Sequence, residues 1–363
     1  MSPIRIDINW FWVSPELTLA VTGMLAFLVA AAQTAGARRP TPAPERLGVA
    51  EWLSVAGVGI AGLLALWVGM RGAEQSGAMV HLWGGMTHDP FSAWFKVAVS
   101  VAVLLVMAMN TSYRRPMFNR PELYPLLTLA TMAIFLMASA SELVLIFLAI
   151  EFLSITSYVL AGYLKDDPKS AEAGLKYFLF GTVCSAVMLY GMSLLYGMTG
   201  TTHLVDIAAR LAAGPSALEL QVTVIAACLV LAGIGFKISM APFLQWVPEA
   251  YEGAPTPITA FLSVASKAAG FALAVRVFTV AFPSVELARH WGTLLGILAI
   301  ITMTWGNTAA IWQVNVKRML AYSTLAQIGF ILTGIGWGTP LSLSAALIFT
   351  FNHSLIKSAM LML

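Results

Sequence analysis

The chain alternates between long apolar runs and short polar stretches, and the runs are of similar size. Eleven of them centre on 15–35, 50–70, 92–110, 123–141, 143–163, 169–197, 221–245, 257–281, 291–312, 319–338 and 340–363, each rich in Leu, Ala, Val, Gly and Met. An α-helix needs about 20 apolar residues to cross a hydrocarbon core about 30 Å thick, whereas a barrel strand needs about 10. Lipid offers no partner to unpaired backbone, so runs of this length form helices. The pattern predicts an all-α polytopic membrane protein with about eleven visible spans. Pro168 follows Asp166-Asp167 at the start of the sixth run, and Thr256-Pro257 opens the eighth as an N-cap followed by proline at the first helical position. Between the first two runs lies ARRPTPAPER, a Pro-rich polar loop. Residues 201–213 read as a short amphipathic helix on the membrane surface.

Composition agrees with the pattern. Of 363 residues, 59% are hydrophobic and 10% charged, against about 25% charged in a soluble domain. The mean hydropathy is +0.83. A net charge of +3, scattered over loops, does not indicate nucleic-acid binding. Cys184 and Cys228 lie in apolar runs without a CxxC pair and read as small buried hydrophobes. There is no Gly-rich phosphate loop, no paired histidines at haem spacing and no Cys cluster for iron–sulfur. The loops are too short to house a soluble active site, so any redox chemistry belongs to another subunit. No cleavable signal is evident.

Loop charge sets an orientation. Loops after odd-numbered spans hold Arg38, Arg39, Arg46, Arg114, Arg115, Arg120, Lys165, Lys169, Lys317 and Arg318, ten in all, against Arg5, Arg71, Arg210 and Arg289 on the other side. This places the odd-span loops in the cytoplasm and the N-terminus outside. The eleventh span then ends at Leu363 inside an apolar run, which reads as a chain cut short.

A few ionisable residues remain inside the spans. Glu151 lies in LIFLAIEFLSITSY of the fifth, Lys176 in GLKYFLFG of the sixth, Lys237 in the seventh and Lys267 in the eighth. Lys267 is ten residues beyond Pro257, about 15 Å along a helix and so near the bilayer centre. A charge there costs on the order of 3 kcal/mol on insertion scales. Glu151 and Lys176 could simply neutralise each other between two helices, although an apolar contact would do this without desolvating two ions. Lys237 and Lys267 have no acidic residue in their own spans, and lysine exchanges its proton readily when buried. Pro242 breaks the seventh span and frees the carbonyl of Ile238 beside Lys237. Together these features suggest a pathway for ions or protons. Arg276 reads as a residue that snorkels to the outer interface. His353 and Lys357, four apart in FNHSLIKSAM, share one face of the eleventh helix.

The stretch GFKISMAPFLQWVPEAYEGAPTPITAFLSVASKAAGFALAVRVF strongly resembles the broken-helix region of the subunit N family of proton-translocating NADH-quinone oxidoreductase, respiratory complex I. LIFLAIEFLSITSYVLAGY and GLKYFLFG resemble its fifth and sixth spans, and WGNTAAIWQVNVKRMLAYSTLAQIGFILTGI its ninth and tenth. The resemblance runs from about Asp89 to Gly336. The YEGAPTP loop separates this family from the paralogous M and L subunits and the Mrp cation/proton antiporters. FNHSLIKSAM is more similar to the eleventh span of those paralogues.

The resemblance implies a fourteen-helix fold with two inverted five-helix repeats, each with a broken helix. On this chain it implies N-terminal helices over 1–122, a first half-channel over 123–282, and the start of the second repeat over 283–363. The second broken helix lies beyond Leu363. It further implies that Glu151 pairs with Lys176, that Lys237 is the central proton carrier, and that Lys267 links the half-channel sideways. His353 and Lys357 are further candidates. No cofactor is implied in this chain. The implied partners are the other membrane and peripheral subunits of the complex, in a bacterial inner membrane. The alternatives left open are an Mrp-type antiporter subunit and a structural membrane scaffold.

Overall fold

The computed structural model describes residues 10–35, 47–74, 80–82, 84–113, 121–213, 216–282 and 285–362. The basic residues Arg5, Arg38, Arg39, Arg46, Arg114, Arg115 and Arg120, and the terminal Leu363, lie outside the described residues. The eleven predicted runs appear as α1 (Trp10–Ala35), α2 (Val49–Glu74), α3 (Pro90–Ser112), α4 (Leu123–Ser139), α5 (Leu143–Ala161), α6 (Pro168–Thr199), α8 (Ala217–Ile238), the pair α10 (Thr256–Ser263) and α11 (Ala265–Val280), α12 (Val285–Ile311), α13 (Val316–Trp337) and α14 (Pro340–Met362). Among the described residues, nine helical segments are long and apolar enough to cross a membrane, counting α10 and α11 as one, and α4 is a shorter apolar helix.

Local signals set the helix ends. Asp89 caps α3, accepting from Ser92 N at 2.8 Å, with Pro90 at the first turn. Asp167 caps α6 in the same way through Lys169 N at 3.0 Å, and Ser216 with Glu219 forms a capping box on α8. Gly200 and Gly338 close α6 and α13 in the left-handed conformation that glycine adopts without strain. Thr256 departs from its expected role. It is the first helical residue, and no side chain caps α10. That end is held instead by Thr259 Oγ1, which donates to Tyr251 O at 3.0 Å.

Two small elements lie between the spans. β1 (Val80–Leu82) and β2 (Met86–His88) pair antiparallel, a short addition to an otherwise helical chain. Ser141 ties this hairpin to the α4–α5 turn, donating from N to Gly85 O at 2.9 Å and from Oγ to Gly84 O at 2.9 Å. The predicted amphipathic helix is α7 (Leu204–Ala212), which buries Leu204 and Ile207. His203, at its start, bridges to Glu142. The loops expected on one face thus meet each other.

The seventh and eighth spans form the centre. α8 stops at Ile238, and Ser239 takes a left-handed conformation with φ +64°. The break therefore falls at Ser239, three residues ahead of Pro242. Met240 N closes the helix end on Gly235 O at 2.9 Å. Ala241 N is caught by Thr302 Oγ1 of α12 at 2.9 Å. After a short turn the chain re-forms as α9 (Val247–Gly253). The eighth span is interrupted at Val264, between α10 and α11. Every residue from Pro257 to Phe278 is buried. Gly270 lets α11 approach the end of α8 closely, since a Cβ there would stand 2.5 Å from Ile238 Cγ2.

Candidate functional site

Lys237 stands one residue before the end of α8, two residues ahead of the break at Ser239. The side chain is fully buried and donates from Nζ to Ser154 Oγ of α5 at 3.1 Å. Glu151 precedes Ser154 by three residues and so shares its helix face. Its Oε1 accepts a hydrogen bond from Ser185 Oγ of α6. Glu151 and Lys237 interact electrostatically without a direct ion pair. Carboxylate, hydroxyl and ammonium therefore follow one another from α5 to α8.

The left-handed Ser239 sets its hydroxyl between the two central spans, where it accepts from Lys267 Nζ. Lys267 is 2% exposed. Its ammonium lies 4.4 Å from the centroid of the Trp246 ring. His353 of α14 lies against the Ser263 backbone, at the interruption between α10 and α11, and near Lys267. One turn further along α14, Lys357 Nζ donates to Ser323 Oγ at 2.9 Å and to Leu320 O at 3.2 Å, both on α13. Half-buried Glu151 and the buried Lys237, Lys267, His353 and Lys357 thus form a row across four spans, with serine hydroxyls bonded to four of the five.

Lys176 does not join this row. Its side chain is 43% exposed and pairs with Glu172 and Glu249, each at 2.7 Å. The expected pairing with Glu151 is absent, because Ser185, not Lys176, is the α6 residue that faces Glu151. Lys176 belongs to a charged cluster at the end of the bundle. There Glu252 binds Lys169 at 3.0 Å and Arg318 at 3.1 Å. Hydrogen bonds from Lys169 and Arg318 hold the Glu252 carboxyl below the usual carboxylate range. Lys317 Nζ caps the same segment, donating to Glu252 O at 3.0 Å and Ala254 O at 2.5 Å. Lys169, Lys317 and Arg318, expected on one face, converge there.

Arg276 is buried within the protein and paired rather than exposed. It is 5% exposed and binds both Asp89 oxygens at 3.0 Å, with a further bond from Nη2 to Ala138 O at 2.9 Å. The guanidinium is fully engaged, so snorkelling would cost it three partners. Cys228 also departs from expectation: it is exposed, and Cys184 is buried.

Sequence reasoning missed a second buried pair, Lys96 Nζ with Glu16 Oε1 at 2.5 Å, between α3 and α1. The signal was available, since each residue is a lone charge inside an apolar run. His88 lies between this pair and Asp89–Arg276, stacked on Trp12. Burial, and then the Lys96 charge, push its imidazole down to about 3. Among the described residues no three His, Cys, Asp or Glu side chains group as metal ligands.

A membrane-spanning bundle built on broken helices, with a row of buried cations crossing it, defines the class. Residues 140–363 match the family described as NADH:quinone oxidoreductase/Mrp antiporter, TM. The chain belongs to this family, in its subunit N branch. It is 45% identical over 295 residues to NADH-quinone oxidoreductase subunit N of Moorella thermoacetica, covering 81% of this chain and 59% of that one. With the subunit N of Trichlorobacter lovleyi it shares 40% identity over 353 residues, covering 96% and 68%. The chain thus spans about six-tenths of the Moorella relative's length. A chain of respiratory complex I from Thermus thermophilus with bound aureothin superposes with a TM-score of 0.73 at 27% identity, covering 96% of this chain and 69% of that one.

Proposed function

We propose that the chain is a proton-translocating membrane subunit of a NADH-quinone oxidoreductase. It carries out no bond chemistry itself and moves protons as quinone is reduced elsewhere in the complex. It lies in a bacterial inner membrane with its N-terminus external and is assembled with the other membrane and peripheral subunits. Relatives named subunit N support this over an Mrp-type antiporter.

The observation that carries the reading is the row of Lys237, Lys267, His353 and Lys357 buried across three spans, each lysine bonded to a serine hydroxyl. Lys237 is fully buried, feels the Glu151 carboxylate on one side and bonds a hydroxyl that can relay a proton. A purely structural ion there would need a close counter-ion, since burying an uncompensated charge is strongly unfavourable. Lys237 has a hydroxyl and a more distant carboxylate instead, an arrangement suited to gaining and losing a proton. Lys267, bonded to Ser239 at the break, takes the proton sideways toward His353 and Lys357 of α14. Residues 123–282 form the first half-channel on this reading, and 283–363 begin the second.

The test is NADH-driven proton uptake into inverted membrane vesicles, with assembly checked by electron transfer to an artificial acceptor. Lys237→Arg keeps a charge that barely releases its proton and should block uptake nearly as well as Lys237→Ala. Wild-type uptake by an assembled Lys237→Ala complex removes this residue from the pathway.

A further inference from the structure

Lys267 is the buried cation whose contacts a proton row alone does not explain. Among the described residues no carboxylate pairs with it. The titratable groups facing it are Lys237 on α8 and His353 on α14. What stands against its ammonium, besides the Ser239 hydroxyl, is the face of Trp246, at 4.4 Å. An indole face carries the negative lobe of the ring quadrupole and attracts a cation most strongly when water is excluded.

That ring is fixed from behind. Trp246 is 2% exposed and lies flat on Tyr177 of α6, with centroids 3.9 Å apart and an interplanar angle of 8°. Phe236 of α8 packs against it at 5.4 Å, and Tyr158 of α5 meets Tyr177 edge-on at 4.7 Å. Trp246 also immediately precedes α9, whose Glu249 pairs with Lys176, the neighbour of Tyr177 in sequence. α6 and α9 are therefore joined twice at adjacent levels, by a ring stack and by an ion pair.

We infer that Trp246 is a positioning residue for Lys267: its ring face seats the ammonium where no carboxylate does, and the Tyr177 stack and Lys176–Glu249 pair hold the ring in place. This rests on the reading of Lys267 as a proton carrier. It gives Lys176 a part in the pathway without contact with Glu151. A change in its pairing at the end of the bundle reaches Lys267 through α9, with no proton passing between them.

The test keeps the shape of the ring and drains its face. Tryptophans bearing one, two and three ring fluorines are placed at position 246 by nonsense suppression in the whole complex. Proton uptake per NADH oxidised is then followed from pH 6 to 9. Each fluorine should move the alkaline limb of uptake to lower pH, by about one unit in total. A limb independent of fluorine number overturns the role of the ring. Glu249→Gln should shift the limb in the same direction, and an unchanged profile there overturns the link through α9. Lys267→Ala runs alongside. If that variant pumps like wild type, the carrier reading fails, which is distinct from a failure of the Trp246 role.

Discussion

Arg276 reaches out of the most buried span and grips Asp89 with both terminal nitrogens, each at 3.0 Å. Asp89 simultaneously caps α3 through Ser92 N. One carboxylate thus fixes the start of one span and neutralises a charge in another. Burial alone would raise the Asp89 carboxyl, but the hydrogen bonds and charge of Arg276 outweigh it and hold the group below the usual carboxylate range. Its contribution to stability is therefore present at neutral pH and is lost as pH falls through that lowered value.

Asp89→Asn should destabilise the fold by on the order of 3 kcal/mol, because it leaves a buried guanidinium without its counter-charge. Thermal unfolding of the detergent-purified protein is the measurement. A melting temperature equal to wild type would show that Ala138 O alone is sufficient for Arg276.

The Glu16–Lys96 pair gives a contrasting pattern. Lys96→Ala removes one partner of a pair that is nearly inaccessible and should cost about 3–5 kcal/mol. The double variant Glu16→Gln with Lys96→Met keeps volume without charge and should recover most of that loss. In a cycle of Glu16→Gln, Lys96→Met and the double variant, single effects that simply add would mean the pair contributes nothing jointly.

His88 sets an acid limit. Its folded value of about 3 lies below the ordinary 6.5, so the unfolded chain takes up a proton in that interval and the folded chain does not. Stability should fall as pH drops below 6.5, by about 2 kcal/mol at pH 5. The groups facing His88 are Lys96, Asp89 and Arg276. His88→Leu should flatten the dependence of melting temperature on pH between 7 and 5, and an unchanged slope would assign the acid sensitivity elsewhere.

Glu151 and Lys176 should behave as independent sites. Glu151→Ala should abolish most proton uptake while the complex assembles, and Glu151→Asp should retain much of it. In the double variant with Lys176→Ala the two effects should multiply within about twofold, as for groups that share no contact. Strong non-additivity in uptake rate would mean that the two side chains meet during turnover.

The spans were legible because apolar runs of membrane length carry their own caps, as at Asp89, Asp167 and Ser216. Lys237 and Lys267 were legible because a charge in such a run is costly. Their partners were not. Whether α6 turns Lys176 or Ser185 toward Glu151 depends on helix rotation, which tertiary packing sets. Arg276 and Asp89 are 187 residues apart, and nothing local in either run names the other. The hairpin over 80–88 was hidden because three-residue strands have no periodicity to read. Nothing in the sequence around Trp246 singles it out. Its importance comes from a stack with Tyr177, a residue from a different span.

From Pro257 to Phe278 the eighth span has no side chain in contact with lipid, yet it carries both Lys267 and Arg276. During biogenesis such a helix gains less from partitioning into the bilayer than its neighbours do, because its two cations oppose insertion at each depth it passes. It becomes stable in the membrane only as the earlier spans close around it and Asp89 reaches Arg276. The eighth span thus owes its place to protein contacts with α3, α4 and α8 more than to lipid, so variants that loosen those neighbours should release this span first.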